Sequence, residues 1–234
     1  MLPIFKREFK AYFYSPMAYV LIGLYTFLSS IFFTQNLFGQ SADFNGNLST
    51  MGFLLMFIVP ILTMRILAED RKNGTEVLLV TSPSSLTGIV MGKFLSVLAV
   101  FGVMTAITFL YPLILSGFGK PALAQLIGGY VGFILLGATF ISVGVFASSL
   151  TENQVIAAVI GFASLLTMWI IDFVSRLTGG WVAKVLNWFS LLSRYDDFNR
   201  GILNLSAILY YLSFIFVFIF LTIRVIEKRR WSQG

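Results

Sequence analysis

Six long apolar runs, at about residues 17–38, 51–67, 86–118, 122–150, 154–173 and 207–226, constrain this chain more than any other feature of its sequence. Crossing a hydrocarbon core of about 30 Å takes roughly 20 helical residues, and the runs reach or approach that length. They are continuously apolar, whereas the strands of a membrane barrel alternate apolar and polar residues. A helix also satisfies its own backbone groups where no water is present to do so. The expectation is an all-α polytopic membrane protein of six transmembrane helices, forming one domain over residues 1–234. Composition agrees: 11% of the residues are charged, against about a quarter in soluble domains, and the mean hydropathy is +0.89.

The same composition excludes several chemistries. The chain contains no Cys and no His, which removes disulfides, thiolate or imidazole metal sites and any His-dependent triad. An intramembrane enzyme would need paired carboxylates or a nucleophile with its base at depth, and no two carboxylates lie close together inside a run. Asp172 falls near the end of the fifth run and Glu152 in a turn, so each reads either as interfacial or as a proton or ion site of the membrane interior. The string nearest to a phosphate-cradling loop, Gly88-Ile89-Val90-Met91-Gly92-Lys93-Phe94, is one residue short and ends in Phe. Neither a metal nor a cofactor is expected on this chain. Net charge is +6, but Lys and Arg flank the apolar runs instead of forming one basic face, so nucleic acid is not expected as a partner and the bilayer is.

Residues 1–16 read as an interfacial amphipathic helix. Leu2, Phe5, Phe9, Tyr12 and Phe13 share one side of a helical wheel, Lys6, Arg7 and Lys10 the other, and Ser15-Pro16 ends the pattern. A polar loop with Gln40, Asp43, Asn45 and Asn47 precedes the second run. Gly119-Lys120-Pro121 closes a hairpin between the third and fourth, where excess length predicts tilt, protrusion or a kink near Pro112. Gly88 and Gly92, like Gly128 and Gly132, have the spacing of helix-packing pairs. Residues 174–205 form a loop of mixed character in which Trp181, Trp188, Phe189 and Tyr195 read as anchors at the membrane interface.

Six spans place both termini on one side. That side, with the segment 65–93, carries 11 Lys and Arg residues and the opposite side 5, so the positive-inside rule makes both termini cytoplasmic.

Two segments have competing readings. Residues 65–85 hold Arg65, Glu69, Arg71 and Glu76, a turn at Asn73-Gly74 followed by Thr75, and a short apolar helix, Val77 to Val80, with Leu78 and Leu79 at its centre. Ser82-Pro83 ends that helix, and Ser84 or Ser85 caps the next one. The segment is either a solvated loop that only sets topology or a docking element whose short helix seats in a groove of a cytosolic partner. Phe53, Met56 and Phe57 of the second run either line a pathway for an apolar substrate or face lipid and neighbouring helices.

The chain resembles bacterial ABC-2-type permeases, and the gliding-motility-type subfamily in particular, along almost its whole length. The resemblance rests on Lys6-Arg7-Glu8 with Ser15-Pro16; on Thr63-Met64-Arg65 with Glu69, Gly74-Thr75-Glu76, Leu78-Leu79 and Ser82-Pro83; and on Gly92-Lys93. It continues in Ser148-Ser149 with Glu152-Asn153-Gln154, and in Asp197-Phe198 with Arg200-Gly201-Ile202. It implies the permease of an exporter in the bacterial inner membrane, pairing with a second copy or a similar permease and leaving room for an accessory extracytoplasmic protein. It implies that a separate cytosolic ABC ATPase binds ATP and Mg, that 65–85 is the coupling element on that ATPase, and that 174–205 forms partly re-entrant outer helices. A membrane anchor or sensory subunit that recruits the ATPase without moving a substrate is the competing function.

Overall fold

The computed structural model describes residues 1–38, 44–76, 85–117 and 122–232. Among them there is no strand. The expected helix Val77 to Val80, with Leu78, Leu79, Ser82 and Pro83, lies outside the described residues, as do Gln40, Asp43 and Gly119-Lys120-Pro121.

Helix α1, Leu2–Tyr14, is the amphipathic element. Phe5, Phe9 and Phe13 pack ring to ring along one face, with centroids 5.8 and 4.9 Å apart, while Lys6, Arg7 and Lys10 are exposed. Ser15 is extended (φ −93°, ψ 143°), the conformation forced on a residue that precedes proline, and α2 starts at once as Pro16–Phe38.

The second span is α3, Asn45–Thr63, and a bend at Met64 leads into α4, Arg65–Lys72. Here the structure corrects the sequence reading. Asn45 and Asn47 belong to the first turn of α3, 7% and 2% exposed, and not to a polar loop. The Asn45 amide donates to the Gln125 and Asn199 carbonyls at 3.0 and 2.6 Å. Its polarity is satisfied inside the protein, which removes the need for water.

The third span is divided. Helix α5, Leu86–Thr108, is capped by Ser85, whose hydroxyl accepts from the Gly88 amide; α6, Leu110–Ser116, follows after Phe109. Pro112 explains the break, because it has no N–H for the Thr108 carbonyl four residues back. The Tyr130 hydroxyl donates to that carbonyl instead, at 2.9 Å. Tyr111 in α6 bonds the Ser29 hydroxyl at 2.6 Å and stacks on Phe33 at 4.6 Å, fastening α6 to α2.

Helix α7, Leu123–Leu150, is the most buried span and the centre of the core; α8, Gln154–Leu177, and α11, Leu205–Ser232, are largely exposed along broad apolar faces, as lipid-facing helices are. Between them, at the end of the bundle away from α4, lie α9, Gly180–Phe189, and α10, Leu192–Asn199. Gly128 and Gly132 let α10 reach α7: a Cβ at either position would stand 2.6 Å from Phe198 atoms. This packing also corrects the expectation for Tyr195. Trp181 and Trp188 are 76% and 71% exposed, as interface anchors should be, but Tyr195 is 1% exposed against the core. Helix α10 ends in a Schellman motif, with Gly201 at φ 79°, the Gly201 amide bonded to the Phe198 carbonyl (2.9 Å) and the Ile202 amide to Asp197 (3.0 Å). The Asp197-Phe198 and Arg200-Gly201-Ile202 strings are therefore a helix terminator in chemical terms.

Candidate functional site where α1, α4 and α5 meet

Lys93 occupies the third turn of α5 and is 1% exposed. Its ammonium makes two hydrogen bonds and a further ion pair. It donates to the Ile66 carbonyl of α4 at 2.7 Å, to Glu8 of α1 at 3.0 Å, and pairs with Asp70 of α4 at 2.5 Å. The carboxylates are nearly as enclosed, at 13% and 19% side-chain exposure. Arg7 pairs with Glu8 at 2.5 Å, so two cations balance two anions. That hydrogen bond is the main reason the Arg7 guanidinium is held above its ordinary pKa. Close approach of α1 and α5 depends on Gly92, where a Cβ would stand 3.0 Å from the Met1 carbonyl.

A second anchor runs through Tyr12. Burial raises the pKa of its phenol, which stays protonated and donates to the Leu62 carbonyl at 2.6 Å. The Arg65 guanidinium lies 4.9 Å from the centre of the Tyr12 ring and 3.4 Å from Glu69 one turn on.

Helix α4 has no cap of its own, since Met64 is helical. Ser148 of α7 supplies one: its hydroxyl accepts from the Leu67 and Ala68 amides, both at 3.1 Å, and donates to the Met64 carbonyl at 2.9 Å. At the other end Gly74 takes φ 70°, and the Thr75 hydroxyl returns to Asp70 at 2.9 Å. Looser ties complete the frame. Arg71 lies 3.8 Å from Glu152 in the α7–α8 turn; Arg229 of α11 lies 3.6 Å from Glu76 and also bonds the Ser149 carbonyl. Side chains from α1, α5, α7 and the α7–α8 turn thus converge on α4, and one from α11 on the turn that follows it.

The structure brings together Arg65, Glu69, Arg71, Gly74, Thr75 and Glu76. Sequence reasoning did not assign Glu8, Tyr12, Asp70, Lys93, Ser148 and Arg229 to this junction. For Lys93 a signal existed: an ionisable residue eight positions into an apolar run is unusual unless paired, and Glu8 and Asp70 stand in the neighbouring polar segments. Phe53 and Phe57 emerge on the surface of α3, 39% and 44% exposed, in ring contact with Trp169 and Phe162 of α8. Met56 does not share that surface and is 1% exposed in the core. Asp172 is buried at the far end of α8, where it accepts from Arg176 at 3.0 Å and from Ser190.

Residues 2–230 match the family described as ABC-2 family transporter protein. The chain belongs to that family. It is a permease component of an ABC transporter, a membrane component and not the ATPase. No curated protein matches the chain.

Proposed function

We propose that the chain is the membrane-spanning subunit of an exporter of the gliding-motility type, working with a second permease and with a separate cytosolic ATPase docked at the α4 end. One observation carries this reading: Lys93, fully enclosed in a span, is bonded at once to the interfacial helix α1 and to α4. A force applied at α4 therefore reaches a transmembrane helix through short, buried, charge-assisted bonds. The clustering of α1, α4 and the end of α11 at one face, together with the 11 to 5 count of basic residues, supports cytoplasmic termini in a bacterial inner membrane. In this reading Arg65, Glu69, Arg71, Gly74, Thr75 and Glu76, with Leu78, Leu79, Ser82 and Pro83 beyond them, form the coupling element, and ATP and Mg stay on the ATPase. Phe53 and Phe57 border the pathway, between α3 and α8.

Glu76 tests the coupling, because its carboxylate is shared between two explanations. Glu76→Lys in the reconstituted complex is expected to lower transport-linked ATPase activity while membrane insertion remains normal. The exchange Glu76→Lys with Arg229→Glu restores the internal pair but not a partner contact. Recovery by the exchange would assign Glu76 to internal bracing, and wild-type activity and ATPase pull-down in the single variant would remove the coupling role altogether.

A further inference from the structure

Helix α1 divides its circumference between three environments. At about 100° per residue, Ile4, Glu8 and Tyr12 fall on one side, and all three meet protein. A Cβ at Gly92 would stand 3.2 Å from Ile4, Glu8 holds Lys93, and Tyr12 donates to the Leu62 carbonyl. Leu2, Phe5, Phe9 and Phe13 follow as the apolar side, and Lys6 and Lys10 border its far edge. Tyr14 and Tyr19, 84% and 61% exposed, are aromatic residues of the kind that sit at a membrane interface. An apolar side between a protein face and a row of lysines is turned towards lipid.

Two features make this a defined site instead of a general lipid contact. A cavity of about 520 Å³ opens between α1 and α5, walled by Met1, Leu2 and Phe5 on one side and by Leu95, Leu98 and Ala99 on the other. All six are apolar, and the three from α5 are only partly buried. A furrow continues from it along α5 past Gly102 and Ala106, both exposed, and a Cβ at Gly102 would meet nothing within 4 Å. At about 1.5 Å per residue, Leu95 to Ala106 covers roughly 16 Å. That is about half of a 30 Å hydrocarbon core, the reach of one acyl chain in one leaflet.

The second feature is charge. Glu8, the one carboxylate of α1, is taken by Arg7 at 2.5 Å and by Lys93 at 3.0 Å. Lys6 and Lys10 are exposed and make no ion pair among the described residues. They stand one and two turns on from Leu2, a wall of the cavity, so an apolar groove adjoins two ammonium groups that lack a counter-charge.

We propose that the α1–α5 groove binds one anionic glycerophospholipid, with an acyl chain in the cavity and along Ala99, Gly102 and Ala106, and the head-group phosphate at Lys6 and Lys10. Charge selects the class: each basic residue near an anionic bilayer surface favours binding by about fivefold, whereas choline and ethanolamine lipids carry a cation of their own. The proposal requires only that the chain spans a membrane and does not depend on coupling to an ATPase.

The test is native mass spectrometry of the full chain released from liposomes of equal phosphatidylglycerol, phosphatidylethanolamine and phosphatidylcholine with matched acyl chains. Phosphatidylglycerol is expected to be retained about tenfold over either other lipid, with a preference that falls as salt rises. Equal retention of the three overturns the proposal. Lys6→Gln with Lys10→Gln should abolish the preference and Lys6→Arg with Lys10→Arg should keep it, both pairs of changes lying on an exposed edge away from Lys93. Lys228→Gln controls for basic residues elsewhere; loss of preference there but not in the double Gln variant overturns the site. Gly102→Leu places a side chain in the furrow from a position that is open in the protein, and should lower retention several-fold with both lysines present. Unchanged retention in that variant overturns the acyl-chain path, as does displacement of the lipid by soluble glycerophosphoglycerol.

Discussion

Replacing Lys93 by Met keeps side-chain length and volume close to native while deleting one buried charge. The variant leaves Glu8 and Asp70 facing the vacated site. Removing one member of a buried ion pair costs about 3–5 kcal/mol, chiefly because the remaining charge is stranded. Two features of the junction place this case near the lower figure. Arg7 still holds Glu8 at 2.5 Å, and the Thr75 hydroxyl still reaches Asp70 at 2.9 Å. We therefore expect Lys93→Met to lose about 3 kcal/mol, roughly a hundredfold in the folded-to-unfolded ratio. Unfolding in mixed detergent and dodecyl sulfate micelles, followed by circular dichroism, measures it. A triple variant, Lys93→Met with Glu8→Gln and Asp70→Asn, should recover at least about half of the loss, because neutral amides need no counter-charge. A loss below about 1 kcal/mol in the single variant, or the same loss in the triple variant, would refute the view that stranded carboxylates dominate.

A chain without native cysteines makes topology directly measurable: Lys72→Cys should react with an impermeant maleimide only after the membrane is opened, and labelling from outside intact cells would reverse the orientation. The purified permease should hydrolyse no ATP, having no phosphate-cradling loop; turnover that survives removal of contaminating ATPases would contradict this. Gly74→Val should destabilise by about 1–3 kcal/mol through backbone strain alone, since a Cβ there meets nothing within 4 Å at φ 70°. Gly74→Asn should lose less because Asn tolerates that conformation, and equal losses in denaturation would show that φ is not the cause.

The six spans were legible because lipid imposes one requirement, a long self-satisfied apolar helix, that every span meets in sequence. The amphipathic α1 was legible for the same reason, its apolar and basic faces being visible on a helical wheel. Where a polar residue is satisfied by the protein itself, sequence misleads. Asn45 looks like a loop residue until the carbonyls of Gln125 and Asn199, distant in the chain, arrive beside it. Tyr195 looks like an interface anchor until Gly128 and Gly132 admit α10 to the core. The junction had the same difficulty in stronger form. Its acidic members, Glu8 and Asp70, lie 85 and 23 residues from Lys93 in sequence, and no local pattern links them.

The ties on α4 fall into two strengths, and the difference bears on how the element can move. Lys93 and Ser148 hold it through enclosed bonds of 3.1 Å or less to its backbone and to Asp70. Breaking those would strand buried groups, so they should persist in every conformation of the permease. The Arg71–Glu152 and Arg229–Glu76 pairs are longer, at 3.8 and 3.6 Å, and the first is open to solvent, with side chains 35% and 66% exposed. An exposed pair like the first contributes about 0–1 kcal/mol, and the 3.6 Å separation of the second is long for a charge-assisted hydrogen bond. A helix fixed at a buried pivot and loosely tied at Arg71 and, beyond the Gly74 turn, at Glu76 is able to rotate about that pivot with little energy. On this argument the pivot variant Lys93→Met acts mainly on stability, and the outer variant Glu76→Lys mainly on coupling. Their effects should separate because the inner ties are enclosed and the outer pairs are not.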